Sequence, residues 1–245
     1  MDRVTAQSGA CCGDKWPDTL YVIFITMQKF IVGINGRTGS TIYSMWLDSA
    51  VPRAPGEISS HVSWSTDDTV PDWSLPIQHT HQFDVFTNAL PEFKRLWCRR
   101  NYFDSSLSYF VAEHTKTYHT FSHQDQVEYQ EKYQNTKFII NPVLFEELVM
   151  ANHDHDRDIS QWQQQTHNDM ITLFYHVHAK NSQAFYNAVH LPTPEFVYPW
   201  PQPMPVDKYD LVENLNELLK RYCKFDSPFD VDKDAAVAAI VARIE

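Results

Sequence analysis

Apolar and polar positions change their rhythm several times along this chain, and each change predicts an element. Residues 30–34, "FIVGI", are a short apolar run rich in β-branched residues, the pattern of a strand buried on both faces. From Ser40 onward Ile42, Met45, Trp46 and Ala50 recur at helical spacing, so a helix follows. Between the two lies the polar stretch "NGRTGST", residues 35–41. Residues 51–76 mix prolines with small polar residues and read as a long surface loop, ending in a short strand near 75–80. Residues 91–100, "PEFKRLWCRR", and 124–135, "QDQVEYQEKYQN", predict helices. "TKFII" at 136–140 predicts a second buried strand, stopped by Asn141 and Pro142, with a helix next in 143–152.

Residues 159–189 favour helix, with Ile159, Trp162, Met170, Leu173, Phe174 and Val177 along one apolar face. Residues 191–205 hold six prolines and so cannot form a regular helix or a central strand. Beyond this stiff connector, Leu211, Leu215, Leu218 and Tyr222 mark one side of a helix, and 232–244 form a last one. Strands alternating with helices imply an α/β fold: a three-layer sandwich with a mostly parallel central sheet and helices on both faces. Residues 1–26 lack an amphipathic period. They read as an N-terminal extension ahead of Met27, with 27–245 as a single domain.

Composition narrows the function. The chain has 245 residues, 43% hydrophobic and 14% aromatic, which is the make-up of a folded protein with a sizeable core. A formal charge of −11 argues against broad binding to nucleic acid or an anionic membrane, so any anion site must be built locally. The dense basic cluster is Lys94, Arg95, Arg99 and Arg100, which on the predicted helix forms a solvated face. Cys11, Cys12, Cys98 and Cys223 show neither CxxC pairing nor a secreted-type framework, and this points to a reducing, cytoplasmic setting. The apolar stretch 20–26 is far too short for a membrane span and lacks the flanks of a signal peptide.

The loop 35–41 carries the chemistry. A loop leaving a buried strand for a helix N-terminus presents unpaired N–H groups and the positive end of the helix dipole to an anion. Gly36 and Gly39 allow close backbone approach, Arg37 adds a fixed cation, and Thr38, Ser40 and Thr41 add hydroxyl donors. The kinase P-loop pattern GxxxxGK[ST] is not matched: Ile34 stands five residues before Gly39, and Ser40 occupies the place of the phosphate-binding Lys. ATP use is therefore disfavoured.

The order Arg37, Thr38, Gly39, Ser40, Thr41 resembles the 5′-phosphosulfate loop of the P-loop sulfotransferases. A second point of resemblance is "IQHTHQ": His79, Thr80 and His81 stand where many members have Lys-Thr-His at the end of the next strand. The resemblance implies a P-loop fold and transfer of a sulfuryl group from 3′-phosphoadenosine 5′-phosphosulfate to the hydroxyl or amine of a small-molecule or glycan acceptor. It further implies His81 as general base, Arg37 on the departing phosphate, and no metal. The family also carries Arg-Asn-Pro at a strand end and a Ser eight positions after the Arg, the pair that binds the 3′-phosphate. Read onto "KFIINP", Asn141 and Pro142 match, while Ile140 and Leu148 stand in the Arg and Ser places. Arg157 or the Arg99/Arg100 cluster then offers the cation, and the family's late Arg-Lys-Gly loop has no counterpart.

Other classes stay open: a P-loop kinase, a non-catalytic nucleotide-binding protein, or a His-rich metal-dependent hydrolase. The last rests on twelve histidines and three i, i+2 pairs, His79/His81, His153/His155 and His176/His178, with Asp154, Asp156 and Asp158 as added oxygen donors. Against it, no HExxH or HxHxDH pattern is present, and i, i+2 neighbours on a helix point apart. Acceptor-facing candidates are the loop 51–76 and the connector with Tyr198 and Trp200.

Overall fold

The computed structural model describes residues 28–33, 37–51, 60–65, 72–120, 122–195, 197 and 203–245. The proposed extension, Gly36, Cys11, Cys12, Tyr198 and Trp200 lie outside the described residues. Five strands, β1 (Phe30–Gly33), β2 (Val62–Ser65), β3 (Ile77–Thr80), β4 (Lys94–Arg99) and β5 (Met170–Phe174), form one all-parallel sheet in the order β2-β3-β1-β4-β5. The described helices are α1 (Ser40–Ala50), α2 (Phe83–Ala89), α3 (Tyr102–Thr115), α4 (His123–Tyr133), α5 (Pro142–Thr166), α6 (Tyr175–His178), α7 (Ser182–Val189), α8 (Leu215–Tyr222) and α9 (Lys233–Ile244).

Residue alternation along the central strands separates two apolar layers. Phe30 and Val32 of β1, with Ile77, Leu96, Cys98 and Leu173, pack beneath Tyr43, Trp46 and Leu47 of α1 and Phe185, Tyr186 and Val189 of α7. Ile31 and Trp97 turn to the other side, against Phe83 and Phe86 of α2 and Ile159 of α5. A third cluster joins α3, α4, α5, α8 and α9. The three-layer α/β arrangement expected from the alternation of elements is thus present, with the sheet wholly parallel.

Two predicted elements change type. Residues 94–99 are strand β4 rather than helix, lying between β1 and β5. Leu96, Trp97 and Cys98 are buried, and Arg95 is covered as well, donating to the Thr87 carbonyl at 3.3 Å. The charges at both ends of this strand disguise a two-face burial that leaves no solvated side. Conversely, 136–140 is not a strand of the sheet: Phe138 makes a single bridge to Val212, and Ile139 is 68% exposed. Asn141 then caps α5, accepting from the N–H groups of Val143 and Leu144, with Pro142 in the first turn.

The long helix expected at 159–189 is also divided. α5 runs on through His153 and His155 to Thr166, then β5 forms, and α6 and α7 follow. Strand β2 lies inside what reads as loop, and α2 and α3 fall where the periodicity is weak. No described helix is long and apolar enough to cross a membrane.

Candidate anion site at the carboxyl edge of the sheet

β1 leads into α1 on one face of the sheet, whereas β3 leads into α2 on the other. Chains departing to opposite faces from adjacent parallel strands leave a crevice at their carboxyl ends, where α/β folds bind ligands. The loop holding Arg37 opens from that crevice.

Sterics require the loop's geometry. Gly33 ends β1 against Trp97 and Phe83, and a Cβ there would meet the indole at 2.4 Å. Gly39 has φ 90°, and a Cβ would meet the Tyr175 ring at 2.7 Å. Gly39 is the N-cap of α1, and no side chain caps the first turn. Ser40, buried at the start of the helix, does not act as the cap. Among the described residues, the first N–H groups of this eleven-residue helix therefore have no side-chain cap.

Arg37 adopts a left-handed backbone at φ 61°, which costs a non-glycine residue about 1–2 kcal/mol. Its carbonyl accepts from Arg100 Nη1 at 3.0 Å, which braces the conformation. The Arg100 charge also lies within electrostatic reach of the Arg37 guanidinium. Burial first, then the Arg100 charge, lowers the Arg37 pKa to about 10. Arg37 Nε, Arg100 Nε and Thr38 Oγ1 are all buried without a hydrogen-bond partner among the described residues. Native proteins rarely leave such groups unpaired, because each costs about 1–3 kcal/mol. A tetrahedral anion between Arg37, Thr38 and the α1 N-terminus would satisfy them and offset the repulsion between the arginines.

Arg100 is fixed from two further sides. Its guanidinium lies 4.0 Å over the Tyr175 ring, and Nη2 donates to Asp104 at 3.1 Å. Asp104 also accepts from Lys208 Nζ at 2.8 Å and from the Tyr209 hydroxyl. Burial alone would raise the Asp104 carboxyl, but Lys208 and Arg100 outweigh it and hold it well below the usual range. One carboxylate thus serves two cations, and with Arg37 the pocket keeps a local positive excess inside a chain of net charge −11.

The sequence-predicted residues divide as follows. Arg37, Thr38, Gly39, Ser40 and Thr41 come together at the mouth of α1. His81 is exposed just past β3, beside the carboxyl end of β1, within electrostatic reach of His79 and His155. Arg157 lies on the exposed side of α5 in ion pairs with Asp154 and Asp158, apart from the loop. Among the described residues no group of three or more His, Cys, Asp or Glu side chains is placed to hold a metal ion.

The sequence offers Arg100 only within the Arg99/Arg100 cluster, and Asp104, Tyr175, His119 and Lys208 carry no signal in the apolar and polar pattern. For the first there was a signal. Arg100-Asn101 directly follows β4, the strand next to β1, and Ser108 stands eight positions after Arg100. That is the spacing sought without success at Ile140 and Leu148. Tyr102 replaces the Pro, and Asp104 and Ser108, four residues apart on α3, share the helix face that Arg100 contacts.

Comparison of the chain with protein-family models, with curated proteins and with solved structures found no match. The fold and the geometry of this crevice are therefore what bear on function.

Proposed function

We propose that the protein is a sulfotransferase that moves a sulfuryl group from 3′-phosphoadenosine 5′-phosphosulfate to an acceptor hydroxyl or amine. The observation that carries this reading is the pairing of two half-buried arginines, Arg37 and Arg100, beyond the carboxyl ends of β1 and β4, with buried Nε donors left unpaired and no carboxylate on Arg37 among the described residues. Two cationic positions suit a donor with two separate anionic groups. Arg37, Thr38 and the N–H groups of α1 hold the 5′-phosphosulfate; Arg100 and Ser108 hold the 3′-phosphate.

In the reaction His81 takes the proton from the acceptor, whose oxygen or nitrogen attacks sulfur in line. The new bond to sulfur forms as the bond from sulfur to the bridging phosphate oxygen breaks. The electron pair leaves on that oxygen, and Arg37 with the helix N–H groups stabilises its growing charge. The products are the sulfated acceptor and adenosine 3′,5′-bisphosphate. Ser40, in the place where a kinase has Lys, supplies no cation for a γ-phosphate, so ATP is not the favoured donor.

A thermal-shift screen of the full chain against adenosine 3′,5′-bisphosphate, ATP and divalent metals tests the reading, followed by calorimetry on Arg37→Ala. The bisphosphate should raise the melting temperature, and the variant should bind it about 100-fold more weakly, the loss of roughly 3 kcal/mol from one charged contact. Equal affinity in the variant refutes the cradle. Stabilisation by ATP alone would instead favour phosphoryl transfer, and stoichiometric metal would favour the hydrolase.

A further inference from the structure

The segment that leads into α8 is pinned to Arg100 through one shared carboxylate. Lys208 Nζ donates to Asp104 Oδ1 at 2.8 Å and to the Asp104 carbonyl at 3.1 Å, and the Tyr209 hydroxyl donates to the same Oδ1. The other carboxylate oxygen accepts from Arg100 Nη2 at 3.1 Å, while Arg100 Nη1 reaches the Arg37 carbonyl at 3.0 Å. Asp207, the other carboxylate that acts on Lys208, is held by Arg243 of α9 at 2.7 Å, and that guanidinium lies 4.7 Å over the Tyr209 ring.

These contacts do not balance in charge. Among the described residues, Arg37, Arg100, Lys208 and Arg243 share two carboxylates, Asp104 and Asp207. An excess of covered positive charge is costly, and the cation with the most weakly held proton relieves it. Arginine keeps its proton, whereas a covered lysine gives its own up readily. The Lys208 side chain is 17% exposed, enclosed enough to feel the cost and open enough to exchange a proton with solvent. Burial first, then the Arg100 charge, lowers the Lys208 pKa to about 7, against the pull of Asp104 in the other direction. The Tyr209 phenol is pushed up, by burial first and then by Asp104, and stays a neutral donor.

The state of Lys208 decides how much of the Arg100 charge Asp104 cancels. With Lys208 charged, the carboxylate is divided between two cations and Arg100 keeps part of its charge for another partner. With Lys208 neutral, Asp104 answers Arg100 alone. An anion beside Arg37 and Arg100 therefore favours the charged lysine, and by linkage the charged lysine favours the anion.

We propose that Lys208 is the proton switch of the anion site, taking a proton from solvent as an anion binds, so that affinity falls as the pH rises through neutrality. The proposal rests on the reading of the Arg37 loop and Arg100 as an anion site. At pH values where the lysine is charged even in the free protein, affinity is highest and level. Above that range binding must first charge the lysine, and affinity falls until the bound form also loses the proton.

Calorimetry on the full chain with inorganic sulfate, which does not itself titrate near neutral pH, tests it. Wild type should bind sulfate about fivefold more weakly at about pH 9 than at about pH 6, and buffers of different ionisation enthalpy should reveal proton uptake near neutrality. Adenosine 3′,5′-bisphosphate, ionised at both phosphates above neutral pH, should follow the same fall from about pH 7 to about pH 9. Lys208→Arg fixes the charge, so affinity should stay at the acid value with no proton uptake; Lys208→Met should be level near the alkaline value. In wild type the pH midpoint of the Lys208 ¹³Cε resonance should rise on addition of sulfate, a readout that holds even if the variants fail to fold. Wild-type affinity constant within about twofold across that range, a midpoint that sulfate leaves in place, or a pH dependence that persists in Lys208→Arg overturns the proposal. If Arg37→Ala meanwhile loses sulfate, the anion-site reading survives that result. If Arg37→Ala binds like wild type, or neither probe binds wild type, that reading falls and the proposal falls with it.

Discussion

Arg99 and Arg100 are neighbours at the end of β4, yet they enter two buried polar regions of opposite character. Arg99 turns into a closed network. Its Nε donates to Asp156 at 3.4 Å and its Nη2 to the Phe229 carbonyl, while Asp156 also accepts from Trp97 Nε1 and the Tyr102 hydroxyl, both at 2.7 Å. Next to it, Asp230 accepts from the Tyr102 N–H, the Asn101 amide and the Tyr222 hydroxyl. Arg100 turns instead toward Arg37, where Nε atoms and a threonine hydroxyl stay unpaired among the described residues. A polar network complete within the chain joins α3, α5, β4 and the segment before α9. A network that lacks one member, all of whose open atoms are donors or can donate, is shaped for an anion.

The largest effect expected from this contrast is on stability. Asp156→Ala leaves the Trp97 N–H, the Tyr102 hydroxyl and Arg99 buried without their shared acceptor, and breaking such a set costs about 3–5 kcal/mol. Chemical denaturation should show that loss, while Arg37→Ala should leave stability unchanged or raise it by relieving the repulsion with Arg100. If the two substitutions destabilise alike, the open region is structural and the distinction between the two fails.

Gly39→Ala comes next because it acts on both properties. A Cβ at φ 90° that meets Tyr175 at 2.7 Å forces the loop or the ring to move, and the strained backbone alone costs about 1–2 kcal/mol. Since Tyr175 also supports Arg100, bisphosphate affinity should fall together with the melting temperature. Adding Tyr175→Ala should return stability more than affinity, because it clears the clash and removes the support. Recovery of both in equal measure would mean that the ring does not position Arg100.

How far the sequence foretells these regions follows the same line. β1, the turn and α1 are legible because an apolar β-branched run, a glycine at a positive φ and a helical period are local signals. β4 was misread because charged residues flank three apolar ones, and only the sheet's burial of both faces accounts for Lys94–Arg99 as a central strand. "TKFII" has a strand's composition, but no sheet edge lies beside it, and its inward residues pack on helices instead. With 94–99 read as a helix, Arg100-Asn101 does not stand at a strand end, whereas in the structure it follows β4.

The smallest effect belongs to Ser108, and it tests most narrowly the proposal that Arg100 and Ser108 hold the 3′-phosphate. Ser108 is half-buried on the face of α3 that carries Asp104, one turn beyond the residue that Arg100 contacts. If Arg100 and Ser108 grip the 3′-phosphate, Ser108→Ala removes one hydrogen bond to a charged group, about 0.5–1.5 kcal/mol or a few-fold in affinity. The loss should appear with adenosine 3′,5′-bisphosphate and be absent with adenosine 5′-monophosphate, which lacks the 3′-phosphate. An equal loss for both ligands would place Ser108 near the shared 5′ end, and no loss for either would detach α3 from the donor. In both cases Arg100 would be left as a brace for Arg37 and Asp104, and the second anionic group would need a cation other than Lys208, which is paired with Asp104 at 2.8 Å and whose pKa burial first, then Arg100, lowers to about 7.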